Sequence, residues 1–214
     1  TSNITNNLNY YDRPEASFDR STNTLTLDGY SFSYMYSNVP IKSNIQNLKV
    51  KLIGKNDISL GSTKKVFVYS GNASESAPIV TLSTEGDIQE GKYVLGSLEV
   101  SGYNTVPDAS DLVDGYTIAT NYEQVYQEIN GGTSTGWKLL VSSSTLKLWY
   151  LEVYGISVTK DNRTVSVTNA NRLDVLGDAD PNNNKPATVQ FDGRSRLVLN
   201  GADLTSIVVS ATNR

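Results

Sequence analysis

"FDRSTNTLTLDG" (Phe18 to Gly29) returns near the other end of the chain as "FDGRSRLVLNG" (Phe191 to Gly201). Both copies read Phe-Asp, a short polar turn, Leu-x-Leu, then Asp or Asn followed by Gly, and the second turn is one residue shorter. A polar turn set between two short apolar-alternating runs is the mark of a β-hairpin. Written twice in one chain, it raises the question of what the hairpin starts.

Outward from the first copy, strands follow one another. "NLKVKLIGKNDISL" from Asn47 places Leu48, Val50 and Leu52 on one face and Lys49 and Lys51 on the other, so one face is buried and one wet. "KVFVYSG" (65–71), "APIVTLSTEG" (77–86) and "GSLEVSG" (96–102) continue the pattern with polar or glycine breaks. After Trp137 come "WKLLVSSS", "TLKLWYLEVYGISVT" and "RTVSVTNA", with the turn "KDNR" (160–163) closing a hairpin between the last two. One helix is expected in "NYEQVYQEINGG". There Tyr122, Val125, Tyr126 and Ile129 share helical spacing, Asn121 can cap the start and Gly131-Gly132 can stop the end.

The expected organisation is a polar lead-in over 1–15, a first β unit over 16–102, an irregular connection carrying the helix over 103–136, and a second β unit, a partial repeat or cap, over 137–214. Two all-β architectures fit. A sandwich expects turn signals at short regular spacing, and a solenoid expects a recurring Leu-x-Leu core that ends at a bend. "LTLDG", "VKLIG", "VTLSTEG" and "LEVSG" each end in a turn residue. That favours the solenoid and leaves the sandwich as the alternative.

Composition removes whole classes of chemistry. With 214 residues the chain can bury one large core or two small ones. It has no cysteine and no histidine, which excludes thiolate nucleophiles, disulfides, Ser-His-Asp triads and His- or Cys-ligated metals. Net charge is −4, and the acidic and basic residues are scattered. A nucleic-acid partner would need a basic stripe, so that partner is not expected. No apolar run is long enough to span a bilayer.

"ASFDRSTNTLTLDGYSF", "IKSNIQNLKVKLIGKNDISL" and "GSLEVSG" together resemble the repeats of bacterial secreted and cell-surface β-solenoid proteins, some described as carbohydrate-binding-domain-containing proteins and some as adhesins. The resemblance covers about residues 16–102 and returns over 154–207, where it looks like the lead-in and first rung of another unit. No Leu-x-Val-x-Leu rung follows Ser206, so the second copy departs from the pattern and would serve as a capping unit. The resemblance implies a right-handed parallel β-helix, an extracellular or outer-surface bacterial location, and a polysaccharide or a surface protein as partner.

Three kinds of site are then worth weighing. "YSFSYMYSN" sets Tyr30, Phe32, Tyr34 and Tyr36 at period two, so on a strand they share one face. If wet, that face with Trp137 is an aromatic strip of the kind that stacks on sugars; if inner, it is core. "GDADPNNNKPA" alternates the oxygen side chains of Asp178, Asp180, Asn182 and Asn184, as calcium loops do. It lacks the bidentate Glu and the Gly of such loops, so calcium is a weak candidate cofactor. No paired carboxylates stand in a recognisable motif, and no catalytic residue is expected. Two functions remain: a non-catalytic module binding polysaccharide through exposed aromatics, or a structural or adhesive stalk unit binding protein partners.

Overall fold

A computed structural model describes residues 2–3, 15–33, 41–60, 65–72, 76–89, 92–127 and 134–210. The described residues are almost entirely strands and turns, with helical structure confined to two 3-10 turns, Ala109–Leu112 and Pro181–Asn183. The chain divides into two compact units, 1–131 with 136–150, and 132–135 with 151–214.

In the first unit the chain visits three sheets in turn and repeats the circuit. The first pass is Thr24–Asp28, Ser31–Ser33 and Ile41–Ser43, and the second is Asn47–Ile53, Lys55–Ser59 and Phe67–Tyr69. The third is Ile79–Glu85, Ser97–Ser101 and Val113–Asp114, and Thr117–Ile118 opens a fourth on the first sheet. Every pairing between successive passes on these three sheets is parallel and in register.

That register stacks like on like. Leu25 pairs with Val50, which pairs with Leu82; Phe32 pairs with Ile58, which pairs with Val100; Ile41 pairs with Phe67, which pairs with Val113. Period two sends alternate residues inward, and identical register repeats the inward set at each level. The five residues the alternation points inward, Leu25, Leu27, Leu48, Val50 and Leu52, are all 3% exposed or less.

Both ends of the stack turn antiparallel. At the start, Ala16–Asp19 folds back on Thr24–Asp28 and is itself paired with Ser2–Asn3, so part of the expected lead-in is strand. At the other end Thr145–Leu151 runs antiparallel to Ser97–Ser101.

The expected helix is corrected here. Tyr122–Val125 is a strand, parallel to Gly136–Val141. Helical spacing would bury Tyr122 with Val125 and Tyr126, yet only Val125 is buried, while Tyr122 and Tyr126 are 42% and 91% exposed. The open edge of Gly136–Val141 supplies the backbone with ladder hydrogen bonds that a short, two-tyrosine helix could not outweigh. Ile129 and Gly131-Gly132 lie outside the described residues. Residues 103–127 hold three short strands and a 3-10 turn that belong to the first unit, and the chain passes between the units at 131–136 and again at 150–151.

The second unit is smaller. Val153–Lys160 is flanked by Arg163–Thr168 and Ser206–Val209, both antiparallel. As the sequence indicates, Lys160 faces Arg163 across a two-residue turn, with Asp161 and Asn162 at φ 48° and 63°. Both angles positive is the type I′ geometry whose twist matches a hairpin. Val189–Phe191 and Leu197–Leu199 form a separate two-stranded sheet over a core of Tyr154, Val158, Val167 and Val175.

Candidate functional site

The aromatic strip does not form where its placed residues lie. Tyr30 is 8% exposed and packs against Phe32, ring centroids 6.5 Å apart. Its backbone N–H donates to the Asn56 side chain at 2.8 Å, and burial pushes its phenol above its ordinary pKa, with Glu15 adding to the shift. Gly29 at φ 63° is the reason: the turn there resets the strand alternation and swings Tyr30 inward. Trp137 is 7% exposed and meets Tyr150 edge-on at 5.6 Å. Both are core residues, and neither offers a face for sugar stacking. Tyr34 and Tyr36 lie outside the described residues.

The Asp178–Asn184 loop holds itself together. Asp178 accepts from the Thr188 N–H at 3.0 Å and hydroxyl at 2.6 Å, which hold its carboxyl below the usual range. Asp180 caps the 3-10 turn, accepting from the Asn182 N–H and the Asn183 side-chain amide. Asn184 closes the turn in the left-handed region, φ 53°. Among the described residues no three carboxylates come together as a metal cluster would require.

An open groove of about 620 Å³ lies at the start of the stack. Its apolar lining comes from Phe18, Leu25, Ile41, Ile45 and Leu48, and its polar lining includes Arg20, Lys42, Asn23 and Asn44. No carboxylate lines it among the described residues. Two cations and two amides over an apolar floor suit an anionic or hydroxyl-rich ligand.

Two polar devices escaped the sequence reading. Asn56, fully buried, accepts from Tyr30 N–H in the first pass and donates to Ile53, Gly54 and, in the third pass, Ser97 carbonyls. It ties three levels of the stack at one bend. The only cue was "GKN" at a turn, a common polar context. Lys138, 1% exposed, pairs with the half-exposed Glu123 on the neighbouring parallel strand. Its position in the apolar run "WKLLV" was the available signal.

No protein-family model, curated protein or solved structure matches the chain. Among the described residues no helix is long and apolar enough to cross a membrane.

Proposed function

We propose that this chain is a non-catalytic module of a bacterial surface protein, and that its first unit is a parallel β-solenoid acting as a structural or adhesive stalk. The observation that carries the reading is the in-register parallel pairing of successive passes on three sheets. Such a stack resists shear along its length, since every level is tied to the next by ladder hydrogen bonds and a continuous core. A right-handed winding is the expectation for parallel crossovers. The burial of Tyr30 and Trp137 weighs against sugar stacking and toward a protein partner. The surface location rests on the resemblance of "FDRSTNTLTLDG" and its neighbours.

A second reading is favoured by the groove: polysaccharide binding moved from the aromatic strip to Arg20, Lys42, Asn23 and Asn44. A glycan array followed by titration decides between them. The stalk expects no saturable binding of neutral or acidic polysaccharides. Saturable binding that is lost in Arg20→Ala/Lys42→Ala, with the fold retained, would transfer the conclusion to the groove.

Calcium has no required place in either reading. The two carboxylates of the Asp178–Asn184 loop are already engaged by protein donors, so millimolar calcium is expected to leave Tm unchanged. Calorimetric binding abolished by Asp180→Ala would reverse this.

A further inference from the structure

The two copies of the opening motif fold alike, down to register. Phe18 faces Leu25 and Ala16 faces Leu27; Phe191 faces Leu197 and Val189 faces Leu199. Each Phe-Asp strand is covered on its outer edge. Ser2–Asn3 does this in the first copy, and in the second the backbone of 172–175 does it, through Phe191 N–H to Arg172 O and Val175 N–H to Val189 O. Each Leu-x-Leu strand ends in the same left-handed glycine, Gly29 at φ 63° and Gly201 at φ 64°.

One part differs. The outer edge of Thr24–Asp28 carries Asn47–Ile53 in parallel, with Lys49 N–H donating to Asn23 O and Gly29 N–H to Ile53 O. Leu197–Leu199 has no second strand partner among the described residues. Arg196 and Asn200 direct their backbone bonds to Asp192 and Thr188 inside the hairpin. By antiparallel alternation, the N–H and C=O of Leu197 and Leu199 then face outward. The side chains report the same gap: Leu25 and Leu27 are 3% and 0% exposed, whereas Leu199 is 49% exposed.

We infer that the outer edge of Leu197–Leu199 is a docking edge for one parallel β-strand of a partner polypeptide, with apolar side chains at alternate positions. The first copy supplies the template for the occupant, because there the same edge holds Leu48, Val50 and Leu52 in that pattern. Main-chain bonds would give affinity and the alternate apolar residues register, as in strand addition generally. Charge refines the class. Thr24 faces Lys49 in the first copy, and the matching residue in the second is Arg196, so an acidic side chain is preferred at that position of the incoming strand. This goes beyond the stalk reading by naming the chemistry of a protein partner; its assay reads the second unit, while the glycan array reads the first, so the two fail separately.

The test uses the whole chain and a labelled peptide of its own second pass, residues 46–55 (QNLKVKLIGK), followed by fluorescence anisotropy. Saturable binding is expected, tighter by severalfold for the Lys49→Glu peptide, and weaker by tenfold or more in the Leu199→Lys and Leu199→Pro chains. Leu199 is half exposed and its N–H faces outward, so both variants keep the hairpin; circular dichroism and Tm check this. Hydrogen exchange should slow at Leu199 on binding. Absence of saturable binding at millimolar peptide, or binding indifferent to both edge variants, overturns the inference. Self-association of the chain that Leu199→Lys dissolves would also overturn it, in favour of a second copy as occupant.

Discussion

The hairpins at 16–28 and 189–199 share a sequence pattern and its strand register, yet one sits under a stack and the other beside open solvent. What separates them lies outside the motif. Thr24–Asp28 is followed by a strand that returns in parallel and by a buried asparagine that locks the bend. Leu197–Leu199 is followed by "ADLTSIVV", whose strand Ser206–Val209 pairs instead with Val153–Lys160. The same motif thus specifies a local hairpin in both places, and burial of its leucines is decided by what arrives next.

The most severe way to break that contrast is at Asn56. Its side chain satisfies one N–H and three carbonyls in a fully buried bend. Asn56→Ala takes the side-chain partner from the Tyr30 N–H and the Ser97 carbonyl, while the Ile53 and Gly54 carbonyls keep the Gly29 and Ser97 N–H groups. Each unsatisfied buried group costs on the order of 1–3 kcal/mol, so a loss of about 4 kcal/mol is expected from the two. Urea unfolding measures it, and hydrogen exchange at Tyr30 and Ser97 localises it. A loss below about 1 kcal/mol would mean the bend does not tie the passes together.

Next in size is the leucine that the two copies share. Leu27→Ala removes a fully buried side chain and is expected to cost about 3 kcal/mol. Leu199→Ala, at the equivalent position but half exposed, is expected to cost less than about 1 kcal/mol. Equal losses at the two sites would refute the claim that only the first copy is stacked.

These positions also show how much was legible beforehand. The inward set Leu25 to Leu52 follows from period two alone, and it is buried as read. The turn at 160–163 followed from its residue types. The 121–132 segment misled because a tyrosine-rich i, i+3, i+4 pattern is compatible with a strand whenever an edge is waiting, and the edge of Gly136–Val141 arrives later in the chain. Period two left Tyr30 either core or strip, and a local feature decides for core: one glycine before it shifts the face by a residue. The groove was invisible because its lining comes from residues 18–25, 41–48 and 70, brought together only by stacking. Sequence periodicity reports a residue's own face well and its neighbours' arrival poorly.

A smaller effect sharpens the likeness of the two copies. A Cβ at Gly29 or Gly201 would meet nothing within 4 Å, so Gly→Ala at either site costs only the left-handed backbone penalty, about 1 kcal/mol each. Thermal unfolding should show closely similar losses. A much larger effect at Gly29 would mean the stack adds strain that the isolated hairpin lacks.

The smallest effect concerns acid. Asp192 accepts backbone N–H bonds from Arg196, Arg194 and Ser195, and these hold its carboxyl below the ordinary value of 3.8. Asp19 is lowered in the same direction by the Ser21 hydroxyl first and then its N–H. A carboxylate with a depressed folded pKa contributes stability that is present above its unfolded value and is lost as pH falls through the folded one. Both turns should therefore loosen below pH 3.8, and both carboxylates are exposed, so the change is modest. The contrast lies in the consequence. Thr24–Asp28 stays anchored by Asn47–Ile53 when its turn loosens, whereas among the described residues Leu197–Leu199 has no strand on its outer edge. Amide exchange at residues 194–199 should accelerate on acidification before exchange at 21–27 does, and Asp192→Asn should remove that pH dependence from the second hairpin. Parallel acid responses in the two hairpins would show that the parallel strand gives the first no protection.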